Sequence, residues 1–230
     1  MSDHSDAGRV PATKEAEVWR GQFGAKYSER NLFNDAELDR TYVGKYGLTR
    51  TALNHSFLAD IPRSASILEV GCNLGNQLIL LKQMGFENLT GIEIHSDIVK
   101  EAQTRVPWAH VSEGSALNIP FGDASFDLVF TSGLLIHIAP RDLATVMNEI
   151  HRCARSWIWG LEYYAPQTTE VVYRGQSGLL WKTDFARLYT DAFSDSELVS
   201  EQRLKYVADD NVDSMFLLRK NNLGRNNRTR

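Results

Sequence analysis

Four short stretches of the 230-residue chain combine residue types and spacings that suit a nucleotide-like ligand and a proton transfer. The first, Glu69-Val70-Gly71-Cys72-Asn73-Leu74-Gly75, is a glycine-rich turn after an apolar run. Glycines there let the backbone turn tightly and approach a ligand with no Cβ in the way, and a helix starting at such a turn offers free N–H groups. The second is Glu93, which lies 18 residues beyond Gly75 and closes the run Leu89-Thr90-Gly91-Ile92. A carboxylate at that distance can accept both hydrogen bonds of a ribose diol, the role of the acidic residue about 20 residues past the turn in nucleotide-binding sheets. The third is Glu113-Gly114-Ser115-Ala116, and the fourth runs from Thr131 through Ser132 to His137. With an ordinary imidazole pKa near ~6.5, His137 can take a proton from an attacking hydroxyl or ammonium at neutral pH. A histidine within an apolar stretch is also often a satisfied structural residue, and both readings stand at this point.

The elements needed to position these residues are legible as alternating short β-type runs and helical stretches, the pattern of a largely parallel α/β sheet. Strands are predicted over Ser66–Val70, Leu89–Ile94, Trp108–Ser112, Phe126–Thr131 and Ser156–Glu162, and helices over Gly75–Met84, Asp97–Val106 and from Pro140 onward. In the last of these, Leu143, Val146, Met147 and Ile150 form an i, i+3, i+4, i+7 stripe. Leu198–Tyr206 and Val212–Arg219 are separated by too few residues for a crossover helix, so they are expected to pair antiparallel. All four chemical stretches then fall just beyond strand ends, where open α/β sheets bind their ligands.

Aromatic side chains flank this frame. Trp19, Phe23 and Tyr27 recur at i, i+4 and i+8, which puts them on one helical face despite two glycines. As a lid spanning about residues 15–60 that segment would bring Tyr27, Arg30 and Asn31 to the cleft; an ordinary amphipathic helix is the alternative. Tyr163 and Tyr164 end the fifth strand, and aromatic faces there can stabilise a cationic centre. Tyr173, Arg174 and Lys182 belong to a glycine-containing segment that is either a binding loop or a plain crossover ahead of a helix reaching Tyr189.

The chain length suits one domain, and 43% hydrophobic with 23% charged residues implies a structured core. With 25 Lys+Arg against 29 Asp+Glu and a net charge of −4, no global positive field exists to hold nucleic acid. Cys72 and Cys153 have no metal-ligand spacing, and the chain starts MSDHSDAGRV without an apolar signal core; a reducing, cytoplasmic setting, no metal and no membrane span are expected. Residues 1–14 and the basic stretch 221–230 read as solvated tails. The sequence carries no expectation for oligomeric state.

Taken together, EVGCNLGNQL, DLVFTSGLLIHI and EYYAP resemble class I S-adenosylmethionine-dependent methyltransferases. WRGQFGAKYSERN and YRGQSGLLWKTDF extend the likeness, over about residues 16–219, to methylases associated with pseudaminic acid biosynthesis. The resemblance implies a Rossmann-like, mostly parallel seven-stranded sheet with a C-terminal antiparallel strand, helices on both faces, a methyltransferase domain over 15–220, and S-adenosylmethionine as cofactor. It implies that Gly71, Cys72, Asn73 and Gly75 face the methionine portion of the cofactor with Glu69 beneath. Ile94 then accompanies Glu93 at the ribose, Ser115 and Ala116 sit at the adenine, and Ser132 with Tyr27 and Arg30 completes the cofactor site. The family often has an acidic residue where Ser115 stands. The implied acceptor is a small polar molecule of the nonulosonic or related bacterial surface sugar class. Such a sugar is anionic, so Arg174 and Lys182, with Tyr163, Tyr164 and Tyr173, are its candidate contacts and His137 its neighbour. Two other classes compete. A nicotinamide-dependent oxidoreductase lacks its glycine pattern here, since Asn73 occupies the middle position, and a non-catalytic cofactor-binding protein shares the fold.

Overall fold

The computed structural model describes residues 13–221. Four helices come first: α1 (Lys14–Arg20), α2 (Gln22–Arg30), α3 (Asp35–Tyr46) and α4 (Arg50–Leu58). Then follow β1 (Ser66–Val70), α5 (Asn76–Gln83), β2 (Asn88–Glu93), α6 (Ser96–Arg105), β3 (His110–Glu113), β4 (Phe126–Ser132), α7 (Pro140–Cys153) and β5 (Ala154–Tyr163). The chain finishes with β6 (Thr169–Glu170), β7 (Trp181–Lys182), α8 (Phe185–Ala192), β8 (Ser196–Lys205) and β9 (Val212–Lys220).

Seven strands form one sheet in the order β3-β2-β1-β4-β5-β9-β8. β1 pairs parallel with β2 and β4, β2 with β3, and β4 with β5, whereas β9 runs antiparallel to both β5 and β8. The predicted terminal hairpin is therefore present. Strand order reverses between β1 and β4, and this is where a crevice must open above the carboxyl ends. Both faces are covered. One core gathers Leu53 and Phe57 of α4 with Leu78 and Leu81 of α5 and Val99 of α6; the other sets Val146, Met147 and Ile150 of α7 against Phe185 and Tyr189 of α8. Leu143 joins that second core, so the whole apolar stripe of α7 is inward.

Three expectations are modified. The third strand begins at His110 rather than Trp108, whose side chain is exposed. The aromatic N-terminal stretch is not one helix, because Gly21 adopts an extended backbone (φ −96°, ψ −164°) between α1 and α2. Trp19 still meets Phe23 and Tyr27 edge-on across the break, with centroids 5.3 and 5.4 Å away. Thr13 accepts the Ala16 N–H and caps α1, so helix starts at Lys14 inside the stretch expected as tail; the remainder of both expected tails, apart from Asn221, lies outside the described residues. The β6–β7 ladder had no sequence signal. No described helix is long and apolar enough to cross a membrane.

Gly160 offers a check on the sheet. A Cβ placed there would lie 2.3 to 3.0 Å from three carbons of the Phe216 ring on the adjoining strand β9. Gly160→Ala should cost ~1–3 kcal/mol through overpacking and lower Tm by several degrees in a thermal melt; an unchanged Tm would show that the ring moves aside freely.

Candidate active site

A cavity of about 350 Å³ opens at the carboxyl ends of the parallel strands, between them and the N-terminal helices. Its floor is the turn after β1. Gly71, Asn73 and Gly75 all have left-handed backbones, at φ +74°, +47° and +76°. The Gly71 and Cys72 N–H groups both donate to the Ile92 carbonyl at 2.9 Å, hooking the turn onto β2. A Cβ on Gly71 would stand 2.7 Å from Leu134 Cδ1, and its left-handed backbone favours glycine where the β1 and β4 loops meet. Gly71, Cys72 and Asn73 line the cavity; Gly75 does not, serving instead as the N-cap of α5.

Glu93 ties this floor to the end of β2. One carboxylate oxygen accepts the Asn73 N–H at 3.0 Å, and the other accepts those of Ile94 and His95 at 2.8 and 3.0 Å. Burial pushes the Glu93 carboxyl up, and the three backbone donors pull it back. Asn73 Oδ1 and His95 Nδ1 are buried at this wall without partners, so a polar ligand finds unused hydrogen-bonding capacity beside the carboxylate. Ile94, Ser115 and Ala116 line the same end, and the Ser115 hydroxyl accepts the Leu117 N–H at 3.2 Å. Glu69 lies beneath, 3% exposed, with one carboxyl oxygen unpartnered; burial pushes its carboxyl well above the usual range. The Cys72 thiol is likewise pushed up by burial.

At the opposite end His137 sits in a single 3₁₀ turn, Leu135–His137. Its Nδ1 is 2.8 Å from the Leu179 carbonyl, which can only accept, so Nδ1 carries the hydrogen and Nε2 keeps its lone pair. Burial lowers its pKa to about 4. The burying groups are aromatic: Trp19 at 4.3 Å, Tyr173 at 5.5 Å and Tyr27 at 6.2 Å between centroids. Glu162, near the end of β5, accepts the Leu134 and Ile136 N–H groups at 3.2 and 3.3 Å and so fixes this loop; burial raises its pKa to about 7.

The cavity wall by β5 and β9 carries a group that sequence reasoning missed. Asp213 accepts from Lys45 Nζ at 3.0 Å and from the hydroxyls of Tyr46 and Tyr206, while the Lys45 ammonium stands 4.3 to 5.1 Å from the ring centres of Tyr206, Tyr46 and Tyr163. Burial lowers the Lys45 pKa, and the Asp213 charge opposes that. Tyr163 and Asp213 face each other in the β5–β9 register, a pairing that strand prediction without register does not reveal.

Ser132, Tyr27, Tyr163 and Tyr173 also line the cavity, but four candidates besides Gly75 do not. Arg30 is exposed on α2. Tyr164 packs under the Arg203 guanidinium, 3.3 Å from its ring centre. Arg174 occupies a left-handed position (φ +51°) in the tight Tyr173–Gln176 turn, which directs Tyr173 inward and leaves Arg174 exposed. Lys182 donates to the Asn211 side chain and lies over the Tyr163 ring. The cations expected to hold an anionic acceptor are thus outside the cavity, and Lys45 is inside it.

Residues 67–156 match the family model described as a methyltransferase domain. An uncharacterized methyltransferase from Synechocystis is 31% identical over 86 residues, 37% of this chain and 40% of the relative. The 2-methyl-6-phytyl-1,4-hydroquinone methyltransferase of the same organism is 37% identical over 78 residues, 32% of this chain and 24% of the relative. The chain therefore spans less than half the length of these curated relatives. The crystal structure of Burkholderia thailandensis 1,6-didemethyltoxoflavin-N1-methyltransferase, with 1,6-didemethyltoxoflavin and S-adenosylhomocysteine bound, superposes with a TM-score of 0.69 at 19% identity, over 95% of this chain and 94% of that one. Sheet order, glycine turn and the match across the centre of the chain agree: residues 67–156 are similar to a methyltransferase domain, and the chain has the Rossmann-like fold of the Burkholderia methyltransferase.

Proposed function

We propose that this chain transfers the methyl group of S-adenosylmethionine to an oxygen atom of a small polar molecule. The observation that carries this reading is that one cavity joins a glycine turn, the Glu93 carboxylate at the end of β2 and the His137 imidazole. The residues fit the cofactor: unpartnered buried atoms of Asn73 and His95 flank Glu93 in the cavity wall. S-adenosylmethionine supplies a methyl group already activated on a positive sulfonium, so the protein has chiefly to align the acceptor and remove a proton. Glu93 holds the ribose hydroxyls, and Tyr27 and Trp19 offer ring faces and exclude water.

His137 Nε2 takes the proton. An imidazole with a pKa of about 4 cannot strip an alkylammonium, which holds its proton at neutral pH, but it can accept the proton of a hydroxyl that turns strongly acidic as the new C–O bond forms. A hydroxyl is an acceptor that a neutral, weakly basic imidazole can serve. For the acceptor class, the resemblance to pseudaminic acid-associated methylases is carried by two segments whose aromatic residues meet over His137, with Phe23 and Tyr173 at 6.0 Å. A nonulosonic or related sugar is the acceptor class this likeness supports; Lys45, the cation lining the cavity, is already paired with Asp213. The Burkholderia enzyme, with a small ligand beside S-adenosylhomocysteine, supports a small-molecule acceptor. The two buried free cysteines suit a cytoplasmic setting.

The test is incubation with isotope-labelled methyl donor and a panel of nonulosonic acids, nucleotide sugars and small amines, read by mass spectrometry. A methylated sugar hydroxyl is expected, and His137→Ala should lower turnover roughly 100-fold with cofactor affinity little changed. Preferential methylation of amines, or full turnover in the variant, would refute the oxygen acceptor or the base.

A further inference from the structure

Arg50, at the start of α4, is 0% exposed, and none of the ion pairs among the described residues includes it. A guanidinium stays charged in any protein environment, so burying it away from a carboxylate is costly. Its bonds go to neutral groups: Nε donates to Asn54 Oδ1 at 2.7 Å, and Nη1 donates to the Tyr42 hydroxyl at 2.8 Å and to Ser132 Oγ at 3.2 Å. Nη2 has no partner. The rings of Tyr42 and Trp159, 5.3 and 5.2 Å from the guanidinium carbon, offset part of the charge. Glu69 is close enough to feel this charge, and no ion pair joins the two.

Tyr42 and Ser132 both line the cavity, and Arg50 stands behind them. A hydroxyl that accepts from a guanidinium has its own proton left to donate, and the bond it accepts polarises that proton. Among the described residues neither hydroxyl has a protein acceptor for it. Two such donors, backed by one buried cation, make a site for an oxyanion. Its place is set by the sheet: Ser132 ends β4, Glu93 ends β2, and β1 lies between them. Two strand spacings, about 10 Å, separate the two ends, the span from a ribose diol to the carboxylate of an amino acid joined at the 5′ position.

We propose that the Tyr42 and Ser132 hydroxyls hold the carboxylate of the cofactor's amino-acid portion, with Arg50 as the positioning residue that orients and polarises them. This rests on the cofactor reading above, gives Ser132 a specific role in it, and adds Tyr42 and Arg50, which the sequence did not single out. The carboxylate would bring a negative charge to the hydroxyls that Arg50 backs.

Calorimetric titration separates this from a purely structural role, using S-adenosylhomocysteine and 5′-methylthioadenosine, which has the nucleoside and thioether without the amino acid. Tyr42→Phe and Ser132→Ala should each weaken S-adenosylhomocysteine about tenfold, the usual worth of a hydrogen bond to a charged group, while 5′-methylthioadenosine affinity stays within about twofold. Arg50→Met should show a larger loss with the same selectivity. If it fails to fold, the two hydroxyl variants still decide the matter. Unchanged S-adenosylhomocysteine affinity in both hydroxyl variants, or equal losses for both ligands, would overturn the assignment. A wild-type chain that bound neither ligand would overturn the cofactor reading itself.

Discussion

Replacing Glu93 with alanine should weaken S-adenosylhomocysteine binding by two to three orders of magnitude at neutral pH, and should weaken 5′-methylthioadenosine by the same factor. The carboxylate has two oxygens at the rim of the cavity, and a ribose diol offers two donors. Each charge-assisted bond contributes ~1.5–3 kcal/mol, and tenfold in affinity corresponds to ~1.4 kcal/mol. A second contribution is organisation. Glu93 holds the N–H groups of Asn73, Ile94 and His95, so alanine also frees the turn on which the ligand would lie. Equal losses for the two ligands distinguish this residue from Tyr42 and Ser132, which are expected to discriminate between them. Glu93→Gln should fall between wild type and alanine, because an amide has one accepting oxygen rather than two. Calorimetry on folded variants decides the point; an unchanged Kd in Glu93→Ala would remove Glu93 from the ribose and leave it a structural clasp.

The parts of this molecule that were legible in its sequence are those written locally. A strand, a glycine turn and the acid that closes the next strand lie within 28 residues, so β1, the Gly71–Gly75 turn and Glu93 could be read in line. The short link between the last two runs sufficed to set β8 and β9 antiparallel. What could not be read depends on register or on helix docking. Asp213 becomes a cavity residue only because β9 pairs with β5 so that it faces Tyr163. Lys45 and Arg50 look like ordinary cations near a helix end until α3 and α4 pack over the sheet, burying Arg50 and half-burying Lys45. The opposite error occurred at Arg174 and Lys182. Clustered charge beside glycines suggested a ligand, but a turn's handedness decides which of two neighbours faces inward, and here it is Tyr173. The aromatic series of Trp19, Phe23 and Tyr27 was read as one helix, yet Gly21 breaks it and the three rings still converge.

The aromatic lid also has a consequence for pH, because it buries His137 while Glu162 is buried beside the same loop. Folding moves the two groups in opposite directions: His137 from its ordinary 6.5 to about 4, and Glu162 from 4.5 to about 7. Between pH 4 and 6.5 the unfolded chain binds a proton at His137 that the folded chain refuses, so this contribution is present above 6.5 and is lost as pH falls towards 4. At Glu162 the folded chain keeps a proton that the unfolded chain releases, so this contribution is present below 4.5 and is lost as pH rises through 7. Each is about 3 kcal/mol over its window, and the two slopes oppose each other where the windows overlap. Removing one partner should expose the other. Relative to wild type, the stability of His137→Phe should decline with rising pH by up to ~1.4 kcal/mol per unit between 4.5 and 6.5, and that of Glu162→Gln should rise by a similar amount per unit. Glu69 and Glu93, also raised by burial, tilt all three proteins alike and cancel in the differences. Urea unfolding at pH 4.5, 5.5, 6.5 and 7.5 measures these slopes. Parallel profiles for wild type and His137→Phe would mean that His137 titrates near its ordinary value in the folded chain. Trp19 would then not cover it, and the N-terminal helices would stand open over the cavity.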